Sequence, residues 1–309
     1  MYRHIFLALL LVFFSGQLFA EITKKLQAED VFELEYANDP QISPNGLKIV
    51  YERRSNDIMT DSTSSDLWLI ASDGSGHRPL ISGTKNVSSA RWSPDSGRIA
   101  YIQSTGTGTG IFVRWMDSGL TGLVSNLRES PTNLTLSPDG RLLAFVMAVP
   151  KQSDPIAKLR KKPDGADWSE PVKVIDTARY RWDGRGFLEP AHEHIFVVPS
   201  DGGTPRQVTS GDFNHGGGLS WTPDGQRIVF SSNRHAGWEL ESGESDIFSV
   251  KVTDGTLIQI TNQQGGESNP VVSPNGNSIA YISNPNEMVA YNPRTLNLMD
   301  IDGSNSRPL

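Results

Sequence analysis

The chain has 309 residues, no cysteine and a formal net charge of −7, from 35 acidic and 28 basic side chains. The lack of cysteine excludes a disulfide framework, a thiolate metal site and a lipid anchor on an N-terminal cysteine, so a packed core must stabilise the fold. The acidic balance argues against nucleic acid or acidic lipid as a partner.

The first twenty residues have the pattern of a secretory signal peptide. A basic start at Arg3 precedes an apolar run over 5–14 and small residues that end at Ala20. That run is about half of the roughly 20 residues that a membrane span needs. We therefore expect cleavage after Ala20 and a periplasmic or secreted protein without a stable membrane anchor, with an uncleaved anchor as the alternative.

A fivefold repeat occupies the chain after the predicted signal peptide. Each copy contains a turn of Ser or Thr, then Pro, then Asp or Asn, then Gly, and these turns start at Ser43, Ser93, Ser137, Thr222 and Ser273. In the second copy one residue, Ser96, stands before the glycine. Proline presets φ, Asp or Asn tolerates the tight corner, and we expect glycine to take the strained exit in every copy.

Two strand patterns follow each turn. The first places an aromatic residue at one fixed register, namely Tyr51, Tyr101, Phe145, Phe230 and Tyr281. The second leads to another turn, so each repeat predicts a four-stranded antiparallel sheet. The repeats start 50, 44, 85 and 51 residues apart, which is typical of the blades of an all-β propeller. A solenoid of β-arches is the competing fold, but its repeats are usually shorter.

The third repeat contains an insertion. Its two turns lie 64 residues apart, against 24 to 32 in the other copies, so about 35 residues are added between its inner and outer strands, over about 149–190. We interpret a cluster of basic residues in the insertion as solvated surface; it consists of Lys158, Arg160, Lys161 and Lys162.

Three segments carry a resemblance to a known family: 26–44, 179–187 with 194–198, and 231–239. They make residues 21–309 resemble the N-terminal propeller of S9 (prolyl oligopeptidase) family serine peptidases, in the acylaminoacyl-peptidase and dipeptidyl-peptidase 5-like branch. The turns alone do not discriminate, because TolB-type exported propellers share them. The resemblance implies seven or eight blades and an α/β-hydrolase domain. We expect five blades of an incomplete propeller, with a complete five-bladed protein as the alternative.

The chemistry of a serine hydrolase is not predicted for this chain. Such enzymes place the nucleophile in a G-x-S-x-G elbow, and no such pentapeptide occurs in the sequence. We expect no catalytic residue, no cofactor and no activity of the chain alone. The expected role is a non-catalytic propeller portion that admits short peptides to an exported peptidase; the alternatives are a stand-alone TolB-like periplasmic binding propeller and a gene remnant.

The resemblance also implies a binding site for the free N-terminus of a peptide. Trp238, Glu239 and Glu241 lie between the middle strands of the fourth repeat, where a carboxylate and an aromatic wall would hold an ammonium group. The alternative is a solvated acidic loop with the tryptophan packed on the edge of the blade.

Two further groups of residues are candidates for a cavity lining or a metal site. Charged and aromatic residues alternate from Arg179 through Arg181 and Asp183 to Arg185, so one strand there would have a charged face. That face either lines the cavity between propeller and hydrolase domain or forms salt bridges between blades. His192 and His194 lack a predicted third ligand, so we expect structural or surface histidines and no metal. We expect His215 to lie in a segment that connects two blades.

Overall fold

The computed structural model describes residues 25–83, 86–151, 160–169, 174–241, 243–285 and 293–309, and the predicted signal peptide lies outside them. Five four-stranded antiparallel sheets follow one another along the chain, and a short 3-10 helix at Ala28–Glu33 precedes the first. The prediction of an all-β propeller made of four-stranded blades is confirmed. No helix in the described ranges has the length and apolar character to cross a bilayer.

The first three blades have the following strands. Blade 1 consists of β1 (Glu35–Ile42), β2 (Lys48–Asp57), β3 (Ser62–Ala71) and β4 (Arg78–Ile81). Blade 2 consists of β5 (Val87–Trp92), β6 (Arg98–Thr105), β7 (Gly108–Trp115) and β8 (Thr121–Leu127). Blade 3 consists of β9 (Thr132–Leu136), β10 (Leu142–Pro150), β13 (Ala191–Pro199) and β14 (Arg206–Gln207).

The chain between β10 and β13 contains a separate two-stranded hairpin, β11 (Arg181–Trp182) and β12 (Gly186–Phe187). Blade 4 consists of β15 (Gly217–Trp221), β16 (Arg227–Ser232), β17 (Asp246–Lys251) and β18 (Leu257–Gln259). Blade 5 consists of β19 (Gly265–Val272), β20 (Ser278–Pro285), β21 (Thr295–Asp300) and β22 (Arg307–Pro308).

The core is divided into four apolar clusters, one in each seam between consecutive blades. Successive side chains of a strand point to opposite faces, so Ile99 and Tyr101 of β6 pack toward blade 1 while Ala100 and Ile102 pack toward blade 3. No apolar cluster among the described residues joins blade 5 to blade 1. In the part of the chain that the structure describes, blades 1 and 5 thus share no apolar seam.

The repeated aromatic residue faces the preceding blade. Tyr101, Phe145, Phe230 and Tyr281 are each at most 2% exposed, in the seam before their own blade. Tyr51 of blade 1 has no preceding blade; it is partly exposed, and its hydroxyl lies 2.6 Å from Nε2 of His77. The register of the repeat is thus set by packing between blades.

The repeated turns are closed by their own side chains. In blade 3, the Ser137 hydroxyl donates to the Asp139 carboxylate at 2.6 Å and accepts from the Leu142 amide at 2.9 Å. The hydroxyl bond holds the pKa of Asp139 below its usual value, and the same holds for Asp95 and Asp224. Glycine has positive φ at the exit of four turns, but in blade 2 Ser96 does (φ 59), so the expectation of glycine in every copy is wrong there.

The turns also contact one another across the seams. A Cβ added at Gly140 would lie 3.3 Å from Pro94 of the preceding turn, and one at Gly276 would lie 3.4 Å from Pro223. Gly46, which has no preceding blade, has nothing within 4 Å of that position. The glycine therefore serves two needs, a positive φ and close contact with the neighbouring turn.

These two needs can be separated by substitution. We expect Gly46→Ala and Gly140→Ala each to lose about 1 kcal/mol of unfolding free energy, because both positions have positive φ. Gly140→Ala should lose more, since its new methyl group also presses on Pro94. Urea unfolding of the two variants measures the difference, and equal losses would contradict a contact between the turns.

Candidate functional site

One face of the propeller carries the longest loops of the structure. Because the strands within each blade are antiparallel, the segments that join second to third strands share a face with the connectors from one blade to the next. Two of these segments, 151–190 of blade 3 and 233–245 of blade 4, come from neighbouring blades. We call this side the loop face. The pairing of β10 with β13 continues to Pro150 and Ala191, and the Lys151 amide donates to the Pro190 carbonyl at 2.8 Å.

A cavity of about 280 Å³ lies between these two segments. Its walls combine side chains of both charges with amides and apolar groups, and they include Lys151, Arg179, His192, Asn214, Trp238 and Glu239. A cavity of this composition can hold a small ligand that has both an apolar part and charged ends. Among the residues that the structure describes, no group of three His, Cys, Asp or Glu side chains is arranged to hold a metal.

Trp238 forms an aromatic wall of the cavity. Its ring lies 6.0 Å from the His192 ring, nearly edge-on, and 6.4 Å from the ring of Phe213. The Asn233 side chain donates to the backbone carbonyls of Trp238 and Glu241, at 3.4 and 2.7 Å. The tryptophan is thereby fixed by contacts with both blades.

Glu239 lines the same cavity and is joined to the inserted segment of blade 3. Its Oε2 accepts a bond from the backbone amide of Ala178 at 3.1 Å, which ties the inserted segment of blade 3 to the loop of blade 4. Its Oε1 has no hydrogen bond to the other described residues. Glu241, predicted with the other two, is exposed and does not line the cavity.

The predicted charged strand at 179–185 does not form. The chain turns at Asp183, Gly184 and Arg185, between β11 and β12, and Gly184 has φ 77. The prediction of one strand through these residues is wrong because glycine permits a tight hairpin at this point. Arg179 lines the cavity, and its guanidinium lies 5.0 Å from the centre of the Trp182 ring.

The other three charged residues of this hairpin do not take part in the cavity. Arg181, Asp183 and Arg185 are exposed and outside its lining. No ion pair to another described residue involves them. Of the four residues predicted to line a cavity, the structure thus brings only Arg179 to this one.

A buried cluster of basic residues lies close to the cavity. The His194 and His215 rings are stacked with centroids 5.0 Å apart, and Arg234 Nη1 lies 2.6 Å from His215 Nε2. Because arginine can only donate, Nε2 must accept, so the proton of the neutral ring is on Nδ1, which lies 3.1 Å from the Glu193 carbonyl. Burial lowers the pKa of His215 to about 4.

This cluster was not predicted as a unit. The Arg234 guanidinium lies 4.4 Å from the centre of the Phe213 ring, and Phe213 in turn contacts Trp238, so the cluster supports the aromatic wall. The sequence indicated only a connector at His215 and a family-like segment around Arg234. The feature that could have indicated the cluster is that His215 and Arg234 both adjoin strand ends of blade 4.

The neutral state of His215 makes a testable contribution to stability. An unfolded chain protonates this histidine near pH 6.5, whereas the folded chain does so only at about pH 4. Its stabilising contribution is therefore present above pH 6.5 and is lost as the pH falls toward 4. When the pH is lowered from 7 to 4.5, the unfolding free energy of wild type should fall by about 2 kcal/mol more than that of His215→Gln, as measured by urea unfolding. Equal losses in the two proteins would refute a buried neutral imidazole.

Comparisons with known proteins agree with this architecture. Residues 168–288 match the family described as "Dipeptidyl peptidase IV (DPP IV) N-terminal region". Dipeptidyl-peptidase 5 of Porphyromonas endodontalis is 28% identical over 258 residues, which cover 78% of this chain and 36% of that protein. The chain spans about a third of the length of the curated peptidases that it matches.

Solved structures support the fold. Acylaminoacyl peptidase of Pyrococcus horikoshii matches with a TM-score of 0.66 and 16% identity, over 90% of this chain and 40% of that one. A TolB structure from Agrobacterium tumefaciens matches with a TM-score of 0.56 and 19% identity, over 89% and 80% of the two chains. These structures show the propeller fold, and the family match over 168–288 together with the dipeptidyl-peptidase 5 relatives confirms the resemblance to the N-terminal propeller of S9 family peptidases.

Proposed function

We propose that this chain is the substrate-gating propeller portion of an exported S9 family serine peptidase of the acylaminoacyl- or dipeptidyl-peptidase type. In this proposal the cavity on the loop face receives the free N-terminus of a short peptide, and the chemistry takes place in a hydrolase domain. The observation that carries the proposal is the placement of Trp238 and Glu239 in one cavity, where Oε1 of the carboxylate has no hydrogen bond to the other described residues.

The chemistry of the cavity favours an ammonium group. Glu239 can accept a charge-assisted hydrogen bond from the terminal amine, and such bonds are about twice as strong as neutral ones. The Trp238 ring can add a cation–π contact at the same end of the ligand. Fixing the amine in a cavity of about 280 Å³ would limit the ligand to a few residues. The expected consequence is selection of short peptides with an unblocked N-terminus.

The outer faces of blades 1 and 5 are compatible with this role. The faces of blades 1 and 5 that point away from their neighbours include Trp68 and Ile70 of β3, and Leu296 and Leu298 of β21, none of which is buried. Such faces need covering by further sheet, as in the longer propeller that the proposal implies. Export follows in the proposal from the signal peptide pattern at 1–20.

Peptide binding tests the cavity. Glu239→Gln should weaken the binding of a free-amine dipeptide or tripeptide by about tenfold or more, because a hydrogen bond to a charged group contributes about 1.5–3 kcal/mol. Glu241→Gln is the matched control and should bind within about twofold of wild type. Titration calorimetry measures both. Equal affinity of wild type for N-acetylated peptides would contradict recognition of the amine.

A direct assay tests the absence of catalysis. We expect no turnover of aminoacyl or dipeptidyl chromogenic substrates by this chain, and no labelling by a serine-reactive fluorophosphonate probe, because the sequence has no nucleophile elbow. A sequenced S9 peptidase that includes its hydrolase domain is the positive control. Labelling together with turnover would show a nucleophile and would contradict the non-catalytic role.

A TolB-like binding propeller is the second candidate. It is favoured by the similarity to the Agrobacterium tumefaciens TolB structure, of which this chain covers a larger share than of the acylaminoacyl peptidase. Such a propeller would bind a protein or peptide partner through the same loops, without requiring a free amine. Peptide affinity that is unchanged by acetylation and by Glu239→Gln would favour this candidate.

A further inference from the structure

The loop that carries Trp238 and Glu239 is held at its base by a buried acid. This loop leaves β16 at Asn233 and reaches β17 at Asp246. Asp246 is 1% exposed, and its Oδ2 lies 2.9 Å from Nε2 of His235, inside the loop, an ion-pair distance without the angle of a hydrogen bond. The same carboxylate accepts bonds from the Gln259 side chain and the Gln263 amide, at 3.0 and 3.2 Å. Asp246 therefore links the loop to the rest of blade 4.

A second buried acid lies in the adjoining seam. Glu267 of β19 is 2% exposed, and neither of its carboxyl oxygens has a hydrogen-bond partner of good geometry among the described residues. Burial raises the pKa of Glu267, against the lowering effect of the nearby Thr261 hydroxyl, and the charge of Asp246 raises it further. Burial also raises the pKa of Asp246. A buried carboxylate without partners is costly when ionised. Ionisation of Glu267 is thus opposed by its surroundings.

The seam and the loop are joined by backbone contacts as well. The Glu267 amide donates to the Ser245 carbonyl at 2.9 Å, and the Ser245 hydroxyl donates to the Glu267 carbonyl at 2.8 Å. The titratable groups around the two acids are His235 from the loop, Glu244 at its end and Tyr281 of β20. A change of charge at either acid therefore acts directly on the end of the loop.

We propose that Asp246 is a positioning residue that, through His235, fixes the loop carrying Trp238 and Glu239, beside the buried carboxyl group of Glu267. This inference rests on the proposed function for its effect on peptide binding, but not for its effect on the loop. The cavity then depends on a carboxylate that does not line it. Protonation of Asp246 removes the negative charge that faces Nε2 of His235 and loosens the loop.

Substitutions at the base of the loop test the proposal in the full chain. Asp246→Asn and His235→Gln should each speed amide hydrogen exchange over 235–241 by about fivefold or more, because the exchange of this segment reports its local opening. Both should weaken binding of a free-amine tripeptide by a similar factor. The double variant should resemble either single variant, since each substitution removes the same contact. Unchanged exchange over 235–241 in His235→Gln, which alters a partly exposed side chain, would overturn the proposal.

Two further variants separate the possible outcomes. Glu239→Gln should weaken binding without altering exchange in the loop; normal binding in this variant, with a loosened loop in Asp246→Asn, would refute the proposed function and leave the positioning role intact. Glu267→Gln should raise the melting temperature at pH 8 but not at pH 4, because a raised folded pKa makes the ionised form the costly one. A lower melting temperature at pH 8 would contradict a raised pKa of Glu267 in the folded chain.

Discussion

Packing of each blade against the next is the constraint on which the rest of this structure depends. The middle strands of an inner blade are apolar on both faces, so one sheet alone would expose half of its core residues. The repeated aromatic shows this dependence: Tyr101 is buried by the preceding blade, whereas Tyr51, without such a neighbour, is partly exposed and contacts a histidine instead. Stability in this fold is a property of seams rather than of single sheets.

The repeated turns connect local geometry to this packing. A Ser or Thr hydroxyl closes each turn on an Asp or Asn side chain, and in blades 3 and 5 the glycine at the exit lies against the proline of the preceding turn. The hairpin geometry and the spacing between blades are therefore determined by the same four residues. In blade 2, Ser96 takes the positive φ and accepts a bond from the Asn45 amide, which gives that seam a polar contact.

The candidate site exists because two unrelated loops come from adjacent blades. Glu239 and Ala178, 61 positions apart, are joined by a hydrogen bond, and this contact closes the cavity between the segments. Polar groups in the seams support the walls of the cavity. His215 is held neutral by burial, and its bond to Arg234 places that guanidinium against the aromatic wall. In the proposed arrangement, Asp246 positions the loop through His235. The cavity thus relies on buried polar groups that do not line it.

The sequence by itself determined the blades, because alternation in a strand and the chemistry of a turn are local and recur five times. It also predicted that Trp238 and Glu239 share a loop. It could not predict the turn at Gly184, since an alternating charged pattern fits a strand or a hairpin equally well until the backbone conformation is known. Only the tertiary structure decided which titratable side chains are buried. His215 contacts Arg234, and Asp246 lies near Glu267, because of how the strands pair and the seams pack. Burial and partnership depend on neighbours distant in sequence, and those neighbours determine which residues form the cavity.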